Sequence, residues 1–219
     1  MKLNLYSCFL PKYSHLFCLA VFLLASCKGS VREADPAFGK YIESYTTGTI
    51  SKQSPIRIRL SAETTALHAE GAPVAEKLFS FDPRIEGQAF WLDSRTIEFR
   101  PEKNLEPGRM YQGVFRLSRV NKVPDEFKDF DFRFRVIPPS FELEEQGLKV
   151  KGGTSPEYLE LNGYITTADV EDPVQVEKIL SLEYEGGRPA LRWQHAAEAK
   201  KHHFFIDSIR RGEGERDLL

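Results

Sequence analysis

Cysteine is scarce in this chain and poorly placed for structural use: Cys8, Cys18 and Cys27 all fall within the first 27 of its 219 residues. The stretch after Cys27 therefore supports neither a disulfide nor a cysteine-ligated structural zinc. Apolar runs are short. Leu16 to Ala25 (LFCLAVFLLA) has ten residues, where a membrane-spanning helix needs about 20. Charge of one sign is missing too, since 30 basic and 32 acidic side chains give a formal net charge of −2. That balance excludes the basic footprint of a nucleic-acid surface. There is no glycine-rich phosphate loop, no Ser/His/Asp arrangement with a local signature, and no short-period repeat. Material for a core is present: 41% of residues are apolar and 16 are Phe, in a length that suits one or two domains.

Lys2 and Lys12 give a basic start ahead of the apolar run, as in a secretory leader. The run ends in Leu24-Ala25-Ser26-Cys27. This resembles the bacterial lipobox, an apolar residue and two small ones before a Cys that is acylated and becomes the new N-terminus. Small residues at Ala25 and Ser26 let a peptidase reach the scissile bond, and the Cys27 sulfur accepts the lipid. Removing 26 of the 219 residues leaves 193, with Cys27 as their one cysteine. Losing Lys2 and Lys12 leaves 28 basic against 32 acidic side chains, a formal −4. Two or more acyl chains anchor stably where one is marginal. The expected location is extracytoplasmic, on the periplasmic side or the surface of a bacterial envelope. Lys28 to Ala37 is polar and aperiodic and reads as a tether.

A first β-sandwich is expected over 38–137. Ile56-Arg57-Ile58-Arg59-Leu60 alternates strictly, as a half-buried strand does. Ala89 to Leu92 and Thr96 to Phe99 read as two strands around the tight turn Asp93-Ser94-Arg95. Pro101 stops the second of these, and Pro107-Gly108 signals a turn before the strand Met110 to Leu117. Phe130-Asp131-Phe132-Arg133-Phe134-Arg135-Val136 is the clearest period-two run. Its apolar members should face one core, each Phe contributing roughly 1.5–3 kcal/mol on burial. About seven short strands with regular turns describe a sandwich. Ala66 to Lys77 reads as an irregular connection or one helical turn.

Pro138-Pro139 is the expected boundary, and a second β-sandwich should follow over 138–219. Phe141 to Leu143 and Leu148 to Val150 read as two strands around Gly147, and Leu159 to Ile165 as the next. Asp172-Pro173 has the form of a helix N-cap with Pro at the first position. Leu182 to Tyr184 and Ala190 to Trp193 suggest a hairpin around Gly186-Gly187, and His203 to Ile209 a further strand. Ser140 to Leu219 is 80 residues, short of the roughly 100 of a complete sandwich. This second sandwich is expected to be incomplete.

Three stretches carry a resemblance. Phe79-Ser80-Phe81-Asp82-Pro83 comes first, then Trp91-Leu92-Asp93-Ser94-Arg95-Thr96-Ile97-Glu98-Phe99-Arg100-Pro101, then Leu105-x-Pro107-Gly108-x-x-Tyr111. In this order they resemble the N-terminal macroglobulin-type domain of bacterial alpha-2-macroglobulin family lipoproteins. Tyr164 to Val170, Val176-Glu177-Lys178 and Phe205-x-Asp207-x-Ile209 extend it into the second half. The resemblance implies an all-β architecture of two tandem Ig-like sandwiches after a lipoprotein signal peptide. It also implies an endopeptidase inhibitor, in which cleavage of a bait segment collapses the molecule and a Cys–Gln thioester captures the attacker. No thioester is expected within this chain, because Cys27 is its one mature cysteine, and the resemblance implies that the bait segment would lie beyond Leu219. The partners implied are membrane lipid through acylated Cys27, and peptidases through the full-length protein. No cofactor and no nucleic acid is implied.

Other candidate groups have competing readings. His195, Glu198, His202 and His203 could mark a metal site or be solvated loop histidines. Asp129 with Asp131, and Glu144 with Glu145, offer paired carboxylates, which a glycosidase would need to face across a cleft. Trp91, Tyr111 and Trp193 could stack on sugars or sit in cores. Arg57, Arg59, Arg133 and Arg135 would make a basic face if their strands were neighbours, or a solvated one offset by nearby acids. Asp82, Asp93 and Asp172 suit turns and caps. No enzyme constellation emerges. The alternative to an inhibitor scaffold is an Ig-like surface lipoprotein acting as an adhesion or glycan/protein-binding module.

Overall fold

Period-two patterning governs most elements of the computed structural model, which describes residues 34–64, 69–150, 157–182 and 189–211. The first eight strands are β1 (Ile42–Tyr45), β2 (Gly48–Ile50), β3 (Ile56–Leu60), β4 (Phe79–Asp82), β5 (Gly87–Trp91), β6 (Thr96–Pro101), β7 (Met110–Phe115) and β8 (Phe130–Val136). They form two four-stranded sheets, ordered β1-β3-β6-β5 and β2-β8-β7-β4. Every pairing is antiparallel except β2 with β8. The fold is an all-β sandwich.

Alternation places the core. Ile56, Ile58 and Leu60 of β3 are wholly buried, and Phe130, Phe132, Phe134 and Val136 of β8 are 5% exposed or less. The β8 rings stack along the strand, Phe130 on Phe132 at 5.9 Å and Phe132 on Phe134 at 6.4 Å. Phe81 meets both Phe134 and Phe99, so rings of the two sheets interlock. The β5–β6 hairpin closes where expected. Asp93 Oδ1 accepts from the Arg95 and Thr96 amides, an Asx-type turn, while Leu92 N–H bonds Thr96 O. Pro101 is the last residue of β6.

The Leu105-to-Tyr111 motif proves to be a corner. Gly108 adopts φ 75°, which favours glycine. Leu105 and Tyr111 are buried, and the Tyr111 hydroxyl accepts from the Glu106 amide at 3.2 Å. A tyrosine tied back to the upstream backbone is the corner device of Ig-like sandwiches. Tyr111 also stacks on Phe134 at 5.5 Å.

Beyond Pro138-Pro139 come β9 (Phe141–Val150), β10 (Tyr158–Thr167), helix α1 (Pro173–Val176), β11 (Leu191–Ala196) and β12 (Lys201–Arg210). They build one antiparallel sheet, β11-β12-β10-β9. Asp172 caps α1 by accepting from Val174 N–H at 2.9 Å, with Pro173 at the first helical position. Leu161, Ile165, Phe204 and Ile206 form a second core beneath Val176, Leu180 and Leu182. Among the described residues this half holds a single sheet, covered on one face by the helix and loop.

One local expectation changes. Phe141 to Val150 is one strand and not two. Gly147, at φ 74°, sits where the register with β10 shifts, so a bulge carries the ladder past it. Leu182 packs on the second core without being a strand residue, and residues 183–188 of the expected hairpin lie outside those described. β11 pairs with β12 in a hairpin turned by Ala197–Ala199 and a left-handed Lys200.

Removing the Tyr111 hydroxyl isolates the corner bond. Tyr111→Phe is expected to lower unfolding free energy by about 0.5–1.5 kcal/mol, and Phe134→Ala by about 3–5 kcal/mol. Urea titration of both variants measures the difference.

Candidate functional site

The turn after β2 and the loop after β10 lie more than a hundred residues apart in sequence and meet in the fold. Asp169, only 5% exposed, accepts from Ser51 Oγ at 2.6 Å, Lys52 N at 2.7 Å and Val170 N at 2.8 Å. Beside it Lys52 Nζ pairs with Glu171 at 2.7 Å. Burial alone would raise the Asp169 carboxyl. The bonds from Ser51, Lys52 and Val170, with the Lys52 ammonium, outweigh burial and hold it below the ordinary carboxylate range. This clasp ties the sandwich to the second sheet within one compact unit, Ala34–Leu219. Thr167 Oγ1 donates to Asp169 O at 2.7 Å and Lys200 Nζ to Ala168 O at 3.2 Å, which fixes the loop from behind. Nothing local in the sequence marks Ser51, Lys52 or Asp169, because each finds its partner only through the tertiary fold.

The histidines divide between the two faces of the second sheet. His195 and His202 are opposite one another on β11 and β12, with Nδ1 atoms 2.9 Å apart. His195 Nε2 reaches Glu177 at 3.2 Å. His202 is fully buried, and its Nε2 finds no partner among the described residues. Burial, then the neighbouring His195, pushes its pKa down, while Glu171 opposes the shift. His203 points the other way, between Tyr164 at 4.3 Å and Phe205 at 3.8 Å. Glu198 lies in the turn, apart from both. Among the described residues no group of three or more His, Cys, Asp or Glu is arranged to hold a metal ion. His195 and His202 are thus strand residues, on β11 and β12, and His203 lies on a strand as expected.

The four arginines do not share a face. Arg57 and Arg59 are on β3 and Arg133 and Arg135 on β8, which belong to different sheets. Arg57 and Arg100 flank Glu98, at 2.6 and 2.7 Å. Glu98 is 4% exposed; burial would raise its carboxyl, and the two guanidiniums bring it below the ordinary range. Arg59 pairs with Glu43 and Asp93. The aromatic platform is absent as well. Trp91 and Tyr111 are in the sandwich core, and Trp193 packs on the second core against His195. Asp129, Asp131, Glu144 and Glu145 are all exposed. A crevice of about 600 Å³ opens beside β4 and β5, lined by Phe79, Phe81, Ile85 and Phe99 with Arg84 and Glu86. Leu24, Ala25, Ser26 and Cys27 lie outside the described residues.

No protein-family model matches the sequence, and no curated protein matches it. Solved structures similar in part include L,D-transpeptidases from Mycobacterium tuberculosis. L,D-transpeptidase 3 with a faropenem-derived adduct aligns at 14% identity and TM-score 0.30, over 48% of this chain and 40% of that one. An L,D-transpeptidase from strain H37Rv aligns at 13% identity and TM-score 0.34, over 72% of this chain and 60% of that one. A further L,D-transpeptidase 3 structure aligns at 10% identity and TM-score 0.31, over 72% of this chain and 59% of that one. The chain thus spans less than two thirds of each.

Asp169→Ala leaves the Ser51 hydroxyl and Lys52 amide without their acceptor and should cost about 1–3 kcal/mol. Hydrogen exchange measured across β10 should then accelerate relative to the sandwich strands. His202 gives a pH signature of fixed sign. Its folded pKa is depressed, so the unfolded chain takes up the proton first, near the ordinary value of about 6.5. Stability should fall as pH drops through that value and level off below the folded pKa. His202→Phe should reduce the difference between urea midpoints at pH 7.5 and 5.5.

Proposed function

We propose that this chain is the N-terminal framework of a membrane-anchored alpha-2-macroglobulin-like peptidase inhibitor. Acylated Cys27 holds it to the bilayer on the extracytoplasmic side, and peptidases are met through the full-length protein. The observation that carries this reading is the Asp169 clasp. A spacer between a lipid and a working region must keep its parts in fixed relation, and a buried carboxylate with three donors does that for the sandwich and second sheet. The residues of the resemblance act as structure here: Asp93 makes a turn, Tyr111 a corner, and Glu98 an ion-paired support. The binding-module alternative calls on an aromatic platform, and two of its three members are buried in the sandwich.

Two measurements test the proposal. A fatty-acid probe fed to cells should label the wild-type chain and leave Cys27→Ala unlabelled; labelling of both removes the anchor. Genomic DNA past the Leu219 codon should continue in frame through a bait-like loop and a Cys–Gln thioester pair. A stop codon there with no such sequence beyond it overturns the inhibitor reading.

A further inference from the structure

His195 and His202 face each other across β11 and β12, on the side of the second sheet that carries its core. Their Nδ1 atoms are 2.9 Å apart, so one proton lies between them. Glu177, next to the last residue of α1, fixes which ring supplies it. Its carboxylate only accepts, so His195 Nε2, 3.2 Å away, carries a hydrogen. The neutral His195 ring then has a bare Nδ1, and His202 donates to it from Nδ1–H. That leaves His202 Nε2 bare, on a residue with no exposed surface, and without a partner among the described residues. The pair thus holds two protons in place, and a third can enter only at that buried nitrogen. There it would create a cation and an unpaired N–H together, in a core closed by Val176, Leu180 and Leu182. The charged groups around the pair are already engaged. In the loop ahead of α1, Asp169 is taken up by Ser51, Lys52 and Val170, and Glu171, which favours the His202 cation, by Lys52 at 2.7 Å. The β11–β12 turn contributes Lys200, bonded to Ala168 O. β10 sets Ile165 opposite His202, and Trp193 and Phe204 are the next residues on this face of β11 and β12.

We propose that this histidine pair is an acid-released latch. With two protons it seats α1 on the second sheet, and uptake of a third lifts α1 and its loop so that water reaches His202 Nε2. The link to the helix is direct, because Glu177 follows Val176, the one buried residue of α1. Little else holds so short an element, a single turn of four residues. The sign follows from linkage. The closed pair resists the third proton, while an opened His202 takes it up near the ordinary value of about 6.5. Closure is therefore favoured above that pH and lost below it. The loop that opens is the one bearing Asp169 and Glu171, so the latch also acts on the clasp to the sandwich.

Hydrogen exchange of the full chain in detergent micelles reads the latch. The Val176, Glu177 and Ile179 amides bond within the α1 segment and report its opening. With intrinsic rates divided out, that opening should rise about tenfold from pH 7.5 to 5.5, the effect of one proton on a group of pKa near 6.5. It should also be indifferent to urea below the unfolding transition, which marks a local event. His202→Phe, which cannot titrate, should abolish the rise. An α1 indifferent to pH in the wild type overturns the proposal. So does an α1 that opens only together with β10 and β12, or a rise undiminished in His202→Phe. Nitrogen NMR of the wild-type imidazoles tests the same assignment without any variant. At pH 7.5 His202 should carry its proton on Nδ1 and His195 on Nε2, and a His202 protonated on Nε2 instead overturns the latch.

Discussion

Interlocking of phenylalanines across the two sheets is the contact on which the sandwich depends. β8 presents Phe130, Phe132 and Phe134 on one face, and β4 answers with Phe79 and Phe81 beside Phe99 of β6. No disulfide supports this half of the chain, so burial of apolar area carries its stability. The corner at Tyr111 and the Asx turn at Asp93 hold the strand ends in the register that lets those rings meet. Each is a local bond whose value comes from the packing it permits.

Two buried carboxylates play a different part. Glu98 lies outside the apolar core, under Arg57 and Arg100, and its charge is met by one cation from the neighbouring β3 and one from its own strand. Asp169 is met mostly by hydrogen-bond donors. Such groups are costly when one partner is lost, and they accept little change of geometry. They therefore fix relative position more than they add net stability. That is the property asked of a framework, the role proposed above.

The second sheet is organised by unequal cover. Its inner strands lie under α1 and the following loop, and its outermost strand does not. The same face thus passes from closed core at Ile165 to half-exposed surface at Leu143, its neighbour in the ladder. His202 sits near the closed end, where burial disfavours its cation.

Much of this was legible in the sequence because it is local. Alternation at β3 and β8, the Asp93 turn, the Pro107-Gly108 turn and the Asp172 cap each depend on residues a few positions apart, and each formed as expected. The strand pair around Gly147 was misread because a glycine in the left-handed region serves a bulge as well as a turn, and only the partner strand distinguishes them. The arginine face and the aromatic platform were each one of two readings the residues left open, and the fold chose the other. Residue type does not tell which strands are neighbours: sheet order put Arg57 and Arg133 on different layers and core packing took Trp91 and Tyr111. By itself, then, the sequence determined strands, turns and the all-β class, since period and turn chemistry act over a few residues. Tertiary structure alone decided that Asp169 meets Ser51 across 118 positions and that β9 stays uncovered, because both depend on which distant surfaces come into contact.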